Sequence, residues 1–277
     1  MYKKRMFYQI ALKICPFIAL LFSILVTVIT FYINQGLSSL FIFISIQVYL
    51  NWYSIYSISC NATTLKRMNR EPKNDSVILT INSESQSPHK FKYWYCEKCL
   101  NYTYRPTQHC IGCNKCFHFR DHHCFFIGAC IIQQNMGNFI VICFHASLAC
   151  FYSLSILGPY LYANLEETFI KDPSVFNIII SFCFPIALAR YISGKTSCLL
   201  LVTLFDALWS VGLLCFAYSI WKLYSCLTGK QKYYGEISRK QELKEVFGSY
   251  RLCNFLFPYN GLAGTRDVNG KYQLKEV

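Results

Sequence analysis

Four long stretches almost free of charge constrain what this chain of 277 residues can fold into. They cover residues 14–33, 37–59, 136–163 and 196–221. A helix rises about 1.5 Å per residue, so each stretch can cross the ~30 Å hydrocarbon core of a bilayer. Hydrophobic residues make up 54% of the chain and charged residues only 15%, unlike an ordinary soluble domain. The sequence therefore predicts an all-α polytopic membrane protein with four transmembrane helices.

The placement of charge predicts the orientation of these helices. The chain carries a formal net charge of +13, and its basic residues cluster at 3–13, 66–73 and 222–240. Short loops rich in Lys and Arg face the cytosol, so both termini and the loop 66–135 are expected there. Attraction to anionic lipid accounts for the remaining charge, and the distribution argues against a nucleic-acid partner.

Residues 174–192 form a further apolar segment that is not one of the four predicted transmembrane helices. Pro185 interrupts the segment, and its uncharged length is at the short limit for a span. A fifth crossing would place the basic tail on the non-cytosolic side. We therefore expect a re-entrant or interfacial segment on the lumenal side. The first stretch is expected to be a helix and not a signal peptide, because it lacks a small-residue cleavage site.

The predicted domains alternate between membrane and cytosol. They are 1–60 (basic segment and helices 1 and 2), 61–90 (cytosolic linker), 91–139 (cysteine-rich domain), 136–222 (helices 3 and 4 with segment 174–192) and 223–277 (cytosolic tail). The linker is rich in Asn, Ser and Lys without a hydrophobic period, so we expect it to be flexible. In the tail, Leu243, Val246, Phe247 and Tyr250 share one face of a predicted helix.

Seven of the 16 cysteines lie between Cys96 and Cys130. The run reads Cys96-x2-Cys99-x9-His109-Cys110-x2-Cys113-x2-Cys116-x4-Asp121-His122-His123-Cys124-x5-Cys130. A reducing cytosol disfavours disulfides and favours metal binding. Cysteines at x2 spacing place two thiolates on one tetrahedral zinc. The segment has few hydrophobic residues, so zinc would supply free energy that apolar burial cannot.

The number of candidate ligands exceeds the need of two metal sites. Seven Cys with His109, His122 and His123 make ten, whereas two closed tetrahedral sites take eight. One Cys and one His are left over beside Asp121. A thiol, an imidazole and a carboxylate together are typical of an activated cysteine nucleophile. A purely structural zinc module with an inert extra Cys and His is the alternative that these residues leave open.

The run 96–139, including Asn135 and Phe139, matches position for position the spacing of the DHHC-type protein S-palmitoyltransferases, and the chain resembles a small, divergent member of that family. The architecture is similar too: two helices, a cytosolic cysteine-rich domain, two or more helices and a short cytosolic tail. The resemblance implies transfer of a palmitoyl or other long-chain acyl group from acyl-CoA to protein cysteines, through a thioester on Cys124.

The resemblance also implies a role for each site residue. Cys124 would be the nucleophile, His122 the general base and Asp121 the residue that orients it. One structural Zn²⁺ would bind Cys96, Cys99, His109 and Cys116, and the other Cys110, Cys113, His123 and Cys130. Palmitoyl-CoA would be the cosubstrate. The implied partners are the lipid bilayer and substrate proteins with membrane-proximal cysteines, and the implied compartment is the endoplasmic reticulum or Golgi.

Several flanking motifs of the family are absent. Phe125-Phe126 replaces Pro-Trp, and no Asp-Pro-Gly run occurs in 60–74. The Thr-Thr-x-Glu run is not recognisable in 227–236, and Glu242 stands near the place of the usual tail Asn. These departures favour an alternative, a catalytically silent zinc-containing membrane scaffold that binds partners or acyl-CoA. The intact run 121–124 favours the enzyme.

Two further expectations concern charged residues. Lys115, Arg120 and Arg105 are candidates for binding CoA phosphates, with a solvated basic face as the alternative. Asp206 lies inside an apolar stretch, where an isolated carboxylate is costly, so we expect a protonated or hydrogen-bonded structural residue. The alternative is a functional carboxylate that faces a polar cavity or pairs with Arg190 or a hydroxyl.

Overall fold

The structure is a computed structural model, and it describes residues 2–62, 76–81, 89–104, 107–169, 183–193, 199–231, 240–248, 251–257 and 272–276. Most of these residues are helical. The α-helices are α1 (Tyr2–Ile33), α2 (Ser39–Asn61), α3 (Met136–Phe169), α4 (Phe184–Ile192), α5 (Leu199–Thr228) and α6 (Leu243–Phe247). Two 3-10 helices cover Gln133–Asn135 and Arg251–Phe255.

Four of the helices are long and apolar enough to cross a membrane, as the sequence predicts. The crossing segments are Tyr8–Ile33, Ser39–Asn61, Gln133–Ala163 and Leu199–Thr228. Large apolar side chains point outward from them; Phe17 is 60% exposed and Leu214 is 69% exposed. Such a surface is stable where lipid covers it and not in water.

Among the described residues, eight short strands lie between α2 and α3 and at 272–276. They are β1 (Ser76–Ile81), β2 (His89–Cys96), β3 (Asn101–Tyr104), β4 (Gln108–Cys110), β5 (Lys115–Phe117), β6 (Arg120–Cys124), β7 (Ala129–Ile132) and β8 (Tyr272–Glu276). One antiparallel sheet has the order β3-β2-β1-β8, and the pairs β4–β5 and β6–β7 are separate hairpins.

The chain divides into two compact units. One consists of Leu20–Val48 and Ile142–Ile220, and its core includes Phe41, Leu157 and Leu161. Within this unit the buried hydroxyls of Thr30 and Ser153 share a hydrogen bond of 2.9 Å, which joins α1 to α3.

The other unit contains all of the strands that the structure describes. It consists of Met1–Ala19, Tyr49–Val141 and Trp221–Val277. One apolar cluster of this unit joins Ile58 of α2 to Cys110, Phe117, Cys130 and Ile132. Other apolar side chains of the unit, among them Ile131, Met136 and Phe247, are also buried.

Three segments differ from the expectation or extend it. Strand β1 lies inside the segment 61–90, where no regular structure was expected, and it pairs with β2 and β8. Of the segment 174–192, residues 174–182 lie outside the described residues, and α4 forms the rest. Helix α6 ends at Phe247, before the predicted face is complete, because Gly248 takes a left-handed φ of 80°.

The carboxylate of Asp206 in α5 lies close to the backbone N–H of Phe184, the first residue of α4. The first N–H groups of a helix have no partner within that helix, so a carboxylate suits this position.

Candidate active site and metal clusters

The cysteines and histidines of the strand region form two clusters of four side chains. Cys96, Cys99, His109 and Cys116 make the first cluster, and Cys110, Cys113, His123 and Cys130 make the second. Within each cluster the four donor atoms lie within 4.8 Å of one another. These are the same eight residues that the family resemblance implies as ligands.

Hairpins and tight turns bring the members of each cluster together. His109 pairs with Cys116 across β4–β5, and His123 pairs with Cys130 across β6–β7. Directly paired residues on antiparallel strands project to the same face, so each hairpin supplies one imidazole and one thiol. The two Cys-x2-Cys turns supply the other thiols, and Leu100 and Asn114 follow them with positive φ angles of 48° and 52°.

The dimensions of both clusters fit a tetrahedral zinc ion. With a Zn–S distance of ~2.3 Å, the donor atoms at the corners of the tetrahedron are about 3.8 Å apart. The Sγ–Sγ distance is 3.6 Å between Cys116 and Cys99 and 3.7 Å between Cys113 and Cys130. The Nδ1 atom of His109 lies 3.2–3.8 Å from the three sulfurs of its cluster, and that of His123 lies 3.4–3.7 Å from its own. Both clusters can therefore hold a metal ion through Nδ1.

Strand β6 separates the metal cluster from the candidate nucleophile. Successive side chains of a strand point to opposite faces. The pairing is regular from His122 to Cys124, so His123 points toward its cluster while His122 and Cys124 share the other face. This alternation explains how one strand can supply both a metal ligand and two reactive side chains.

Asp121 lies at an irregularity in the same strand. Arg120 pairs with Ile132 and His122 with Ile131, so Asp121 is an extra residue of the kind that forms a β-bulge. A bulge changes the direction of a side chain, and here the Asp121 carboxylate reaches its neighbour. Its Oδ2 atom lies 2.7 Å from His122 Nδ1.

A lysine from the end of α5 completes this group. Lys222 Nζ donates a hydrogen bond of 2.7 Å to the same Oδ2 atom of Asp121. Burial acts to raise the pKa of the Asp121 carboxyl, but the hydrogen bond from His122 and the charge and hydrogen bond of Lys222 outweigh it, so the pKa is lowered. Asp121 is therefore a carboxylate at neutral pH.

Cys124 is the last residue of β6 and the first residue of a tight turn. The carbonyl of Cys124 accepts a hydrogen bond of 2.9 Å from Gly128, whose φ is 74°. Burial raises the pKa of the Cys124 thiol, and hydrogen bonds from the backbone N–H groups of Ile127 and Phe126 offset part of this effect. The thiol form therefore predominates at neutral pH, and a reaction of Cys124 needs a base.

Neighbouring helices hold this turn. Trp52 of α2 donates its indole N–H to the carbonyl of Ile127 at 3.1 Å. Tyr8 of α1 packs edge-on against Phe125 with ring centroids 5.3 Å apart. Phe125 occupies the position where the family usually has Pro, so packing fixes part of a turn that a proline ring would otherwise restrict.

The other basic candidates have partners of their own. Lys115 Nζ donates to the carbonyls of Ser59 and Cys60 and so caps the end of α2. Arg120 Nε donates to Sγ of Cys130, a member of the second cluster, at 3.3 Å. Arg105 lies outside the described residues.

Sequence reasoning missed two residues at this site. In the sequence, Lys222 is one of the basic residues that flank the last span, a position where Lys is common whatever its other role. Asn135 was noted only as part of the family spacing. It is fully buried, and its Oδ1 atom accepts from the N–H of Ile132 at 2.8 Å. Asn135 directly precedes the apolar stretch 136–163, and an Asn side chain before a helix often bonds to nearby backbone groups. This position could have indicated its role.

Comparison with known proteins agrees with this geometry. Residues 89–242 match the sequence profile of the family described as DHHC palmitoyltransferase. Palmitoyltransferase ZDHHC22 of Mus musculus is 32% identical over 161 residues, which are 55% of this chain and 59% of that protein. The chain thus matches less than two thirds of the length of that relative.

More distant relatives give the same family. Palmitoyltransferase ZDHHC22 of Danio rerio is 28% identical over 201 residues, which cover 66% of this chain and 70% of that protein. The probable protein S-acyltransferase 6 of Arabidopsis thaliana is 33% identical over 101 residues, which cover 36% of this chain and 24% of that protein. The profile match extends over more than half of the chain and includes both Cys/His clusters and the run 121–124. With its four membrane-crossing helices, the chain is a multi-pass membrane protein that belongs to the DHHC palmitoyltransferase family.

Proposed function

We propose that the protein is a protein S-acyltransferase that moves a palmitoyl or other long-chain acyl group from acyl-CoA to cysteines of other proteins. One observation carries the proposal: Cys124 shares a strand face with His122, whose Nδ1 is held 2.7 Å from the Asp121 carboxylate. A thiol, an imidazole and an orienting carboxylate are the parts of a cysteine nucleophile.

The first step forms a thioester on Cys124. With its Nδ1–H donated to Asp121, the neutral His122 ring carries its lone pair on Nε2. Nε2 takes the proton from Cys124 Sγ, and the thiolate attacks the acyl carbonyl. The new C–S bond forms as the bond to the CoA sulfur breaks, and the CoA thiolate takes the proton from His122.

The second step repeats this chemistry in reverse order. His122 takes the proton of a substrate cysteine, whose thiolate attacks the acyl carbon on Cys124. The Cys124 thiolate leaves and recovers a proton from His122. The positive charge that His122 gains in each step is stabilised by the Asp121 carboxylate.

Two structural zinc ions would occupy the two clusters. Each cluster supplies four donor atoms, so no position remains for water or substrate, as in structural zinc sites. Zinc would supply folding free energy to the strand region. His123 and Cys130 would then fix the hairpin that carries Cys124.

The position of Cys124 in the chain suits a substrate with an apolar acyl tail and a polar CoA group. Cys124 lies shortly before the third crossing segment, Gln133–Ala163, so the thioester would form close to the membrane surface. The acyl tail would be buried in apolar surroundings, where each methylene contributes about 0.8 kcal/mol. Substrate proteins would present cysteines near the membrane.

The orientation and compartment follow from charge and family. The strand region and both termini would face the cytosol, where acyl-CoA is present and thiols stay reduced. The membrane would belong to the endoplasmic reticulum or Golgi. The segment 174–192 would lie on the lumenal side without crossing.

The alternative is a catalytically silent zinc-containing scaffold. The raised pKa of the Cys124 thiol and the missing flanking motifs favour it. Such a protein would keep both clusters and bind partner proteins or acyl-CoA without forming a thioester.

Acylation of the purified protein tests the proposal. The chain is incubated with a labelled palmitoyl-CoA analogue, and wild type is compared with Cys124→Ala and with Cys60→Ala, which changes an exposed cysteine at the end of α2. We expect a hydroxylamine-sensitive label on wild type and Cys60→Ala but not on Cys124→Ala. If the wild-type protein is folded and contains zinc but takes no label, it is not an acyltransferase by itself, and the scaffold is favoured.

A further inference from the structure

Lys222 is a buried cation on the last turns of α5. The side chains of Lys222 and Asp121 are 6% and 3% exposed, and the two residues are 101 positions apart in the chain. Nζ of Lys222 and Nδ1 of His122 both lie 2.7 Å from the same oxygen, Asp121 Oδ2. The lysine and the imidazole therefore share one carboxylate oxygen as a partner.

The segment after α5 keeps Lys222 in place. Gln231 is buried, and its Nε2 atom donates to the carbonyl of Lys222 at 3.2 Å and contacts Cys226 Sγ at 2.7 Å. The ammonium also lies 4.8 Å from the centre of the Trp221 ring, a favourable distance for a cation–π contact. Both the helix and the tail that follows it restrain the lysine.

Stability alone does not account for this arrangement. A buried ion pair gives up two hydration shells, and apolar residues of similar volume often stabilise a fold as well or better. Asp121 Oδ1 is also buried and has no hydrogen-bond partner among the described residues. Nζ of Lys222 and Nδ1 of His122 both contact Oδ2. These two contacts keep the Oδ2 oxygen of the carboxylate directed toward His122.

We propose that Lys222 is a positioning residue for acyl transfer, which fixes Asp121 Oδ2 where it accepts the Nδ1–H of His122. This inference rests on the proposed function. Lys222 touches neither Cys124 nor the acyl group in this role; it acts through Asp121. Since the ammonium sits at the end of the last crossing helix, the geometry of the base depends on the packing of α5 and its tail on the strand region.

The test measures how fast Cys124 of the purified full chain takes the acyl group at a series of palmitoyl-CoA concentrations. We expect Lys222→Met to lower the maximum rate by about 10- to 100-fold, because the base loses its alignment, with the half-saturating concentration unchanged. Lys222→Arg keeps a cationic donor and should recover part of the rate. Lys230→Met, which changes an exposed lysine of the same tail, should match wild type. A wild-type rate in Lys222→Met would overturn the proposal.

A double-mutant cycle with Asp121 separates positioning from general damage. If Lys222 acts through Asp121, Lys222→Met should slow acylation no further once Asp121→Asn is present. If the double variant instead shows the product of the two single reductions in acylation rate, the two residues act independently and the proposal is overturned. The zinc content of each variant is measured together with its acylation rate. If Lys222→Met loses zinc, the comparison uses two other proteins, Lys222→Arg and the double variant with Asp121→Asn and Lys222→Met, in which no charge is left unpaired.

Alkylation of Cys124 separates this inference from the proposed function. Iodoacetamide needs the thiolate but no acyl-CoA site, and mass spectrometry locates the modified cysteine. If wild type takes no acyl group, the proposed function fails, and alkylation still decides the role of Lys222. Slower alkylation in Lys222→Met than in Lys230→Met supports the positioning role, and equal rates reject it.

Discussion

Asn135 joins the membrane helix α2 to the hairpin of the candidate site, because its Nδ2 atom donates to the carbonyl of Ile55 at 3.3 Å. The same nitrogen donates to the carbonyl of Cys130 at 3.0 Å. One fully buried amide thus links α2, a member of the second cluster and the start of α3.

Removing this amide should destabilise the strand region. Asn135→Ala leaves the N–H of Ile132 and the carbonyl of Cys130 without this partner in a buried place, at a cost of about 3 kcal/mol. We expect a lower thermal midpoint and slower acylation. Gln134→Ala, at the neighbouring half-buried position, is the control and should unfold like wild type. Equal midpoints for the two variants would contradict the role of Asn135.

The two clusters should lose zinc independently. Cys130→Ala and Cys116→Ala each remove one of four donors, from the second and first cluster respectively. A site with three donors binds zinc far more weakly, so each variant is expected to purify with one zinc ion where wild type has two. Elemental analysis of the purified chains measures this, with Cys60→Ala as the control. Two zinc ions in Cys130→Ala would reject the ligand assignment.

Arg120 should affect zinc binding mainly at the second cluster. Its Nε atom donates to Cys130 Sγ, and groups that bond to a metal ligand typically change metal affinity by about 10- to 100-fold. Arg120→Met should therefore release one zinc ion to a competing chelator at a lower chelator concentration. Lys98→Met changes an exposed cation inside the first cluster's Cys-x2-Cys turn and should leave the release of zinc from the second cluster unchanged. Identical profiles for all three proteins would contradict the role of Arg120.

Gly128 should be sensitive to the smallest possible side chain. Its φ is 74°, and an added Cβ would lie 3.0 Å from Pro16 Cγ of α1. Gly128→Ala should cost about 1–2 kcal/mol and move the turn that follows Cys124, so acylation slows. Gly158→Ala adds the same methyl group inside α3, 3.6 Å from Phe205, and should be tolerated. Thermal midpoints and acylation rates of the two variants provide the comparison, and no difference would refute it.

Features that depend on neighbouring residues could be predicted from the sequence. The four crossing segments follow from uninterrupted apolar length, because a helix has a fixed rise and a bilayer a fixed thickness. The spacing of Cys96, Cys99, Cys110 and Cys113 indicated metal binding, because two thiolates three positions apart can reach one ion. The residues alone left the division into two clusters open, and the family pattern supplied it.

Features that depend on strand register and distant contacts required the tertiary structure. No local pattern places an irregularity at Asp121, since the register of β6 against β7 decides which residue is extra. The partner of Asp121 was equally hidden, because Lys222 meets it only when the end of α5 packs beside the strand region. The sequence by itself determined the membrane helices and the set of metal-binding side chains through local spacing. Only the tertiary structure decided how the carboxylate is held, because hydrogen bonds between distant segments exist only after the chain has folded.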